Sequence, residues 1–529
     1  MLTDRCIWRI ARGWLALLPL LAACSSDPIA LAPSTPETPW RIPPQSEKAS
    51  PLTGGPAAAA GGVTGAAGQS LPTVTGGAAN VVEAQRSSPA SADRVNVERN
   101  REYDLAALID LAQRSNPQTR EAWERARQAA LAVGLVQSAY VPQLSAEALA
   151  GYQRTPMPIP PSVFPQGFFT AETRELVPSL AIKWLLFDFG RRQAAERNAR
   201  ENSFVANVAF TGEHQKLIFA VSRSYYALSA ARGKLRAAER GLKTAEFDRD
   251  AVQARRSHGL ATSVELAKAQ RQYAQARFTL EHAAGTERTA YAAVLASVGL
   301  EPTSGIRIAE GSEPPFPEKP AADVGQYVAQ ALSNRPDIIA GLGKVRAAQA
   351  ILDKERAEHK PTVALVGSLY QNIGALSVEG SPYYSVNKPG GALFLQFSWP
   401  LFDGGRRDIQ SRIASAEVSA ASETLEHARQ TAAKEVADAY YGLTTALAEH
   451  DAALTLTAAA RTSHAGALGA YRNGVGTYTS LSDEENALVQ AETQLEDARA
   501  SAQTAASALA FATGSHGSLE GGAVPPTAR

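Results

Sequence analysis

The chain has 529 residues, and its 52 Lys and Arg balance its 52 Asp and Glu. A formal net charge of zero gives no electrostatic reason to expect nucleic-acid binding. The 8 histidines show no metal-ligand spacing such as H-E-x-x-H, and neither a Walker loop nor a G-x-S-x-G elbow occurs. The sequence therefore predicts neither an enzyme nor a bound cofactor.

Residues 1–23 have the pattern of a signal peptide. Three arginines precede the apolar stretch WLALLPLLAA, which is too short to span a bilayer comfortably. The stretch ends in LAAC, which looks like a bacterial lipobox, in which Cys24 would become the first residue and be acylated. An ordinary secretory signal with a cysteine just past the cut is the alternative. Ser25, where Asp would signal retention, favours sorting to the outer membrane.

Residues 24–100 are interpreted as a lipid-anchored flexible segment. The stretch is rich in Pro, Ala, Gly, Ser and Thr, a composition that cannot bury a hydrophobic core. Order is expected to begin near Tyr103.

A duplicated motif follows: WLLFDFGRR at 184–192 and WPLFDGGRR at 399–407, with an offset of 215 residues (399 − 184). Tyr225 and Tyr440, and Gly259 and Gly474, have the same offset. Three landmarks with one spacing predict a tandem repeat. We place repeat 1 at 101–310, repeat 2 at 311–515 and a C-terminal tail at 516–529.

Each repeat is expected to contain a very long helix. No proline occurs between Pro178 and Pro302 or between Pro400 and Pro525, and proline is what breaks helix interiors. Apolar residues recur at three- and four-residue steps, which indicates coiled-coil-like antiparallel packing. Tight turns are predicted where glycine interrupts the two helical stretches.

Four strands are predicted ahead of these helices, at about 143–154, 179–187, 362–372 and 392–399. Apolar residues alternate with others along them, a pattern shared by membrane β-barrels and by soluble sheets with one buried face. The lipoprotein signal favours the barrel. Since four strands cannot close a barrel and open edges are not tolerated in lipid, several copies would have to share one.

Taken together, the doubled LFDFGRR/LFDGGRR and GLATSVEL/GVGTYTSL motifs resemble those of the TolC-type outer-membrane factors, in particular the OprM-like lipoprotein branch. The resemblance covers about 103–515. It implies an α+β membrane protein: a homotrimer with a long antiparallel α-helical coiled-coil barrel and one shared transmembrane β-barrel, four strands per protomer. The helices would extend from the outer membrane into the periplasm.

The resemblance also implies an exit duct that works with a periplasmic adaptor (membrane fusion protein) and an inner-membrane pump of RND or ABC type. Small-molecule efflux is the first expectation for the cargo, and type I protein secretion is the alternative. A hypothesis of another class is a lipid-tethered periplasmic coiled-coil scaffold or adaptor, although duplicated strand pairs disfavour it.

The doubled motif is interpreted as the junction between a lipid-facing strand and a tunnel helix. The tryptophans suit a membrane interface, the aspartates can cap the helix, and the glycines permit a sharp turn. The arginines would ring the mouth of the barrel or simply be solvated at a helix start. The predicted junction residues are Trp184, Asp188, Gly190, Arg191, Trp399, Asp403, Gly405 and Arg406.

The helix-hairpin turns are the predicted working end, where the resemblance implies docking of the adaptor and closure of the tunnel. The docking positions are Gly259, Leu260, Thr262, Gly474, Val475 and Thr477. The gate positions are Asp483, Glu484 and Glu485, with a tyrosine–acid link between Tyr471 and Glu265. Ser480 and Gly476 depart from the family pattern, and a plain charged helix face is the alternative reading of the acidic triplet.

Overall fold

The computed structural model describes residues 28–41, 101–163, 165–310, 316–317 and 319–515. The predicted signal peptide, Cys24 and the tail at 516–529 lie outside the described residues, as does most of the 24–100 segment.

Eight α-helices dominate the described part of the chain. They are α1 Leu105–Ser115, α2 Pro117–Gln137, α3 Arg191–Ser257, α4 Ser263–Val298, α5 Val324–Asn334, α6 Pro336–Ala357, α7 Arg406–Arg472 and α8 Tyr478–Ala512. The helices α3 and α7 have 67 residues each, which at about 1.5 Å per residue makes each about 100 Å long. Within the described part of the chain, every helix is too short or too polar to be a membrane span.

Six strands accompany the helices. They are β1 Glu102–Tyr103, β2 Gln143–Pro158, β3 Phe168–Phe187, β4 Arg307–Ile308, β5 Thr362–Val378 and β6 Tyr384–Ser398. The strands β1 and β4 form a short parallel pair, and the others form one antiparallel sheet in the order β2-β3-β5-β6. Each pair, β2–β3 and β5–β6, thus lies between a helix of about 21 residues and a 67-residue helix.

The strands of the larger sheet are longer than the sequence pattern predicts, because prolines that suggested loops lie within them. Pro156 lies in β2 and Pro389 in β6, which are the edge strands, where a missing N–H donor is tolerated. Pro178 lies in β3 where its pairing with β5 is interrupted between Leu176 and Ser179. The strands therefore continue past the prolines, and the loops between them are short.

Local sequence signals define the helix starts. Asp104 caps α1 by accepting a hydrogen bond from the backbone N of Ala107 (2.8 Å). Asn116 ends α1 and caps α2, whose first residue is Pro117. Proline suits this first position because the backbone N–H that it lacks would have no partner within the helix. The helices α1 and α2 therefore begin at capping residues that can be identified in the sequence.

Two apolar cores hold the helices together halfway along α3 and α7. Tyr225 and Leu228 of α3 pack with α1, α4 and β4 in the first core, and Leu443 and Leu447 of α7 pack with α5 and α8 in the second. Phe219 stacks on Phe511 at 5.2 Å between ring centroids, which joins the first half of the described chain to the second.

Candidate functional site

Asp188 and Asp403 have equivalent positions at the two strand–helix junctions. The Asp188 carboxylate accepts from the backbone N of Gly190 (3.2 Å) and of Arg192 (2.8 Å). Asp403 accepts from the backbone N of Gly405 (3.2 Å) and from Nε of Arg407 (2.6 Å), which helps hold its pKa below the usual value. Both aspartates thus satisfy the orphan donors at a helix start.

The two glycines of the junctions adopt the left-handed backbone conformation. Gly190 has φ 94° and Gly405 has φ 83°, angles that a residue with a Cβ adopts only with strain. The chain turns there from strand into helix.

The arginine pairs of the junctions divide between two environments. Arg192 and Arg407 are buried and donate to the backbone carbonyls of Ala139 (2.6 Å) and Glu358 (3.4 Å), respectively. Arg191 is half-buried and pairs with the Glu358 side chain at 3.1 Å. Arg406 is exposed. The second arginine of each pair therefore fixes the junction to the end of the preceding helix.

Trp184 and Trp399 also make equivalent contacts. Their indole Nε1 groups donate to the carbonyls of Tyr140 (3.0 Å) and His359 (3.2 Å), just past the ends of α2 and α6. Both rings remain partly exposed, at 37% and 54%. Each tryptophan thus ties a strand end to a helix end while presenting apolar surface.

The tips of the two helix hairpins have the same turn. Gly259 N donates to Arg256 O and Leu260 N to Arg255 O, and Gly474 N donates to Tyr471 O and Val475 N to Ala470 O. These pairs of bonds form a Schellman motif, with glycine in the left-handed region at φ 75° and 76°. The residue after each glycine points outward: Leu260 is 69% exposed and Val475 is 84% exposed.

Threonine starts the returning helix at both tips. Thr262 Oγ1 accepts from Glu265 N (3.1 Å), while the Glu265 carboxylate accepts from Thr262 N (2.7 Å), which makes a full capping box. Thr477 Oγ1 accepts from Ser480 N (3.2 Å). Ser480 thus has the position of Glu265 in the second hairpin, but its short side chain makes no reciprocal bond to Thr477 in the described structure.

The predicted pair of Tyr471 and Glu265 is not joined by a hydrogen bond within the described residues. Glu265 is used by its capping box, which is the main reason its pKa is lowered. Tyr471 instead packs in an apolar cluster with Val252, Leu266 and Tyr478, and Arg255 lies over its ring at 5.2 Å. The tyrosine therefore joins the two hairpins by packing.

The acidic triplet does not share one face. Asp483 is exposed, Glu484 is intermediate and Glu485 is only 7% exposed. Helical geometry explains the difference, because residues two apart point in nearly opposite directions. Of the three predicted gate acids, Asp483 is therefore the most exposed, and Glu485 is the one that packing removes from the surface.

Glu485 faces an acid that the motif analysis missed. Asp248 of α3 is 5% exposed, and its carboxyl group lies next to that of Glu485. Burial and the neighbouring Asp248 raise the pKa of Glu485 to about 8, and burial also raises the pKa of Asp248. A usable signal existed, since Asp248 lies on the helical stripe of Ala245 and Val252, both buried.

Groups of three or more His, Cys, Asp or Glu able to hold a metal ion are absent from the part of the chain that the structure describes.

Comparison with known proteins assigns the chain to a family. The model of the family described as "Outer membrane efflux protein" matches residues 108–300 and 327–515. "Protein CyaE" of Bordetella pertussis is 30% identical over 369 residues, covering 69% of this chain and 73% of that protein. "Outer membrane protein OprJ" of Pseudomonas aeruginosa is 25% identical over 389 residues, covering 72% and 78%.

Among solved structures, a membrane protein from Pseudomonas aeruginosa matches with a TM-score of 0.66 at 24% identity. The match covers 78% of this chain and 93% of that one. At this identity the likeness shows the fold.

Proposed function

The chain belongs to the outer membrane efflux protein family, a family of outer-membrane channel proteins rather than enzymes, and on that premise we propose that it is the exit channel of a tripartite export system. Three copies would share one β-barrel, and two tandem repeats per protomer would build the helical tunnel. Cys24 would carry the lipid anchor. A periplasmic adaptor and an inner-membrane pump would complete the system, with small molecules as the cargo.

The observation that carries this proposal is an exposed apolar face on an open sheet. Strand register puts ten apolar side chains on the face of Trp184: Leu144, Leu176, Leu180, Ile182, Leu365, Leu369, Ile373, Leu393, Leu395 and Phe397. Most of them are at least 40% exposed in the single chain. The opposite face is mixed: it carries the polar Lys183, Ser179 and Glu175 together with the apolar Leu149 and Phe394. The continuous apolar face therefore suits lipid, and the mixed face suits the water-filled interior of a barrel.

The height of the apolar face also fits a bilayer. From Trp184 to Arg174 the strand rises about 33 Å at roughly 3.3 Å per residue, or about 25 Å along the membrane normal at a tilt near 40°. At that far end the same face becomes polar: Arg174 lies 4.5 Å from the Tyr383 ring centroid, and Tyr383 donates to Glu172 (2.9 Å). Tryptophan at one boundary and tyrosine with arginine at the other are typical of interfaces.

The sheet cannot serve in lipid as a single chain. Its edge strands β2 and β6 would leave backbone N–H and C=O groups without partners, which hydrocarbon does not tolerate. Three copies joined edge to edge supply twelve strands and close the barrel. Because the helix-connected ends of all four strands lie together, the 67-residue helices of every copy would extend from the same side.

The tips supply the adaptor-docking surface in this proposal. Leu260 and Val475 are exposed apolar residues on hydrogen-bonded turns, about 100 Å from the sheet along α3 and α7. An apolar side chain held outward on a capped turn can anchor a partner without ordering a flexible loop.

The test is photo-crosslinking in cells from Leu260 and Val475, with mass spectrometry of the captured protein. Leu135, 75% exposed at the sheet end of α2, is the matched control position. An adaptor of a proton-driven pump at both tips, and not at Leu135, is the expected result. Capture of a type I secretion adaptor would instead indicate that the exported cargo is protein. If neither tip captures an adaptor, the proposed docking surface is wrong, and the scaffold hypothesis would account for the protein instead.

A further inference from the structure

We propose that Asp248 and Glu485 form a proton-binding site that controls how tightly the hairpin tips pack together. The inference deepens the proposed function, since it concerns the tips through which that function would be gated. It concerns a buried pair within one protomer, distinct from any acidic ring lining the tunnel.

The site lies between three helices. Asp248 comes from α3, Glu485 from α8, and His464 of α7 has its Nε2 3.8 Å from Glu485 Oε1. Asp248 Oδ2, Glu485 Oε1 and the Tyr478 hydroxyl are buried atoms without a hydrogen-bond partner among the described residues. A buried oxygen that accepts no hydrogen bond destabilises the packed structure. An ionised carboxylate cannot donate a hydrogen bond to its neighbour, whereas a protonated carboxyl group can.

The surrounding charges do not neutralise two carboxylates. Within the described residues, His464 is the basic side chain within 4 Å of either acid, and it is charged only when protonated. Arg472 of α7 acts on Asp248 at longer range, and Arg271 of α4 acts on Tyr478. Tyr471 of α7 faces Tyr478, with 6.0 Å between ring centroids. The site is therefore built to hold one negative charge and one proton.

Loss of that proton would put two adjacent negative charges in a poorly hydrated space, where their repulsion is only weakly screened. The tip contacts of α8 lie directly beside the pair. Asn486 pairs with Gln272 (2.6 Å), and Thr479 accepts from Lys268 Nζ (2.9 Å). Separation of α8 from α3 would break the packing that joins the two hairpins.

Proton linkage fixes the direction of the effect. Burial beside Asp248 raises the pKa of Glu485 to about 8 in the packed tip, and opening to solvent would return that pKa to the ordinary value of 4.5. Between these values opening releases a proton, so each pH unit favours the opened tip by about tenfold. Above about pH 8 the packed tip is also deprotonated, and the effect levels off.

The first experiment measures conductance of the full-length protein in planar bilayers from pH 5 to pH 9. We expect conductance to rise between pH 5 and pH 8 and then to level off. Glu485→Gln and Asp248→Asn, which imitate the protonated acids, should remove most of the rise. Glu246→Gln is the matched control on α3, since Glu246 is exposed two residues from Asp248, and it should keep the full response.

Hydrogen exchange of the backbone amides of 478–490, corrected for the intrinsic pH dependence, provides a readout that needs no channel. Protection should fall from pH 5 to pH 8 in the wild type and stay flat in Glu485→Gln. A flat wild-type profile would overturn the proton-binding site even if the protein conducts. A pH-dependent profile in a protein that never conducts would support the site and instead overturn the channel.

Discussion

At the residue scale, Gly190 and Gly405 are positions where backbone conformation, rather than crowding, forbids a side chain. A Cβ at Gly190 would come no closer than 3.9 Å to another atom, and one at Gly405 would meet nothing within 4 Å. The positive φ is therefore the whole cost of adding a methyl group, about 1–2 kcal/mol for a non-glycine residue.

We predict that Gly190→Ala and Gly405→Ala each lower the free energy of unfolding by about 1–2 kcal/mol. Gly442→Ala is the control, since Gly442 lies in α7 with equally open surroundings and helical backbone, and it should be neutral or stabilising by up to about 1 kcal/mol. Urea unfolding of the detergent-solubilised protein, followed by circular dichroism at 222 nm, measures the difference. Equal effects at all three sites would contradict the backbone argument.

Asp483 is the residue at which the proposed tunnel gate is tested. Its exposed carboxylate, repeated in three copies, would form a ring that repels itself and binds cations. We predict that Asp483→Ala raises basal conductance in planar bilayers and weakens block by divalent cations. Asp451→Ala, at an exposed acid about two thirds of the way along α7, should leave both unchanged. The variant should change Asp483 and not Glu485, because Glu485 is buried and its replacement would also disturb the packing of the tip.

At the element scale, the two hairpin turns share one backbone motif but differ in capping. Thr262 and Glu265 cap each other, whereas Thr477 has only Ser480 at the corresponding place. An N-cap threonine contributes typically about 1 kcal/mol to helix stability.

We therefore predict that Thr262→Ala loosens the start of α4 by about 1–2 kcal/mol, because it removes half of a capping box, whereas Thr477→Ala loosens the start of α8 by about 0.5–1 kcal/mol, because it removes a single N-cap bond. Hydrogen exchange at the first turn of each helix is the measurement. Thr279→Ala, in the middle of α4, removes a hydroxyl that bonds only its own helix, and should have no effect at the tips. A larger effect at Thr477 would show that the capping box is not what holds the first hairpin.

Sequence periodicity predicted these elements well where a single local rule decides the structure. The proline-free stretches predicted the long helices, and the glycines predicted the turns at the tips and junctions. Both signals are local, because proline and glycine act through the conformation of their own backbone. Strand ends were predicted too short, since whether a proline is tolerated depends on which strand lies at an edge, and pairing is not local. The Asp248–Glu485 pair was missed for the same reason: it joins helices separated by more than two hundred residues.

At the scale of the whole molecule, the described residues 28–41 follow Cys24 by only a few positions and lie along the helices. Pro28 packs against Gly134, Leu31 O accepts from Asn207 Nδ2 (2.6 Å), and Pro33 O accepts from Trp123 Nε1 (2.9 Å). Trp40 packs edge-on against Phe204 at 5.7 Å. This segment is thus held to α2 and α3 by its backbone carbonyls.

That attachment limits what a lipid on Cys24 can do. Pro28 is four positions after Cys24, so the two Cα atoms can be at most about 14 Å apart. In the proposed channel the lipid would insert beside the shared barrel, and the barrel would be the main anchor, since an acyl chain adds far less than a membrane-spanning structure.

We therefore predict that Cys24→Ala, expressed behind an ordinary cleavable secretory signal, abolishes acylation but leaves a heat-resistant trimer that only detergent extracts. The three-copy barrel would supply both assembly and membrane retention, and residues 28–41 would still bind the helices. Gel mobility without boiling and sedimentation of membranes after carbonate washing are the measurements. If the variant is released as a soluble monomer, the apolar sheet face does not span lipid, and the lipid is the sole anchor of a periplasmic scaffold.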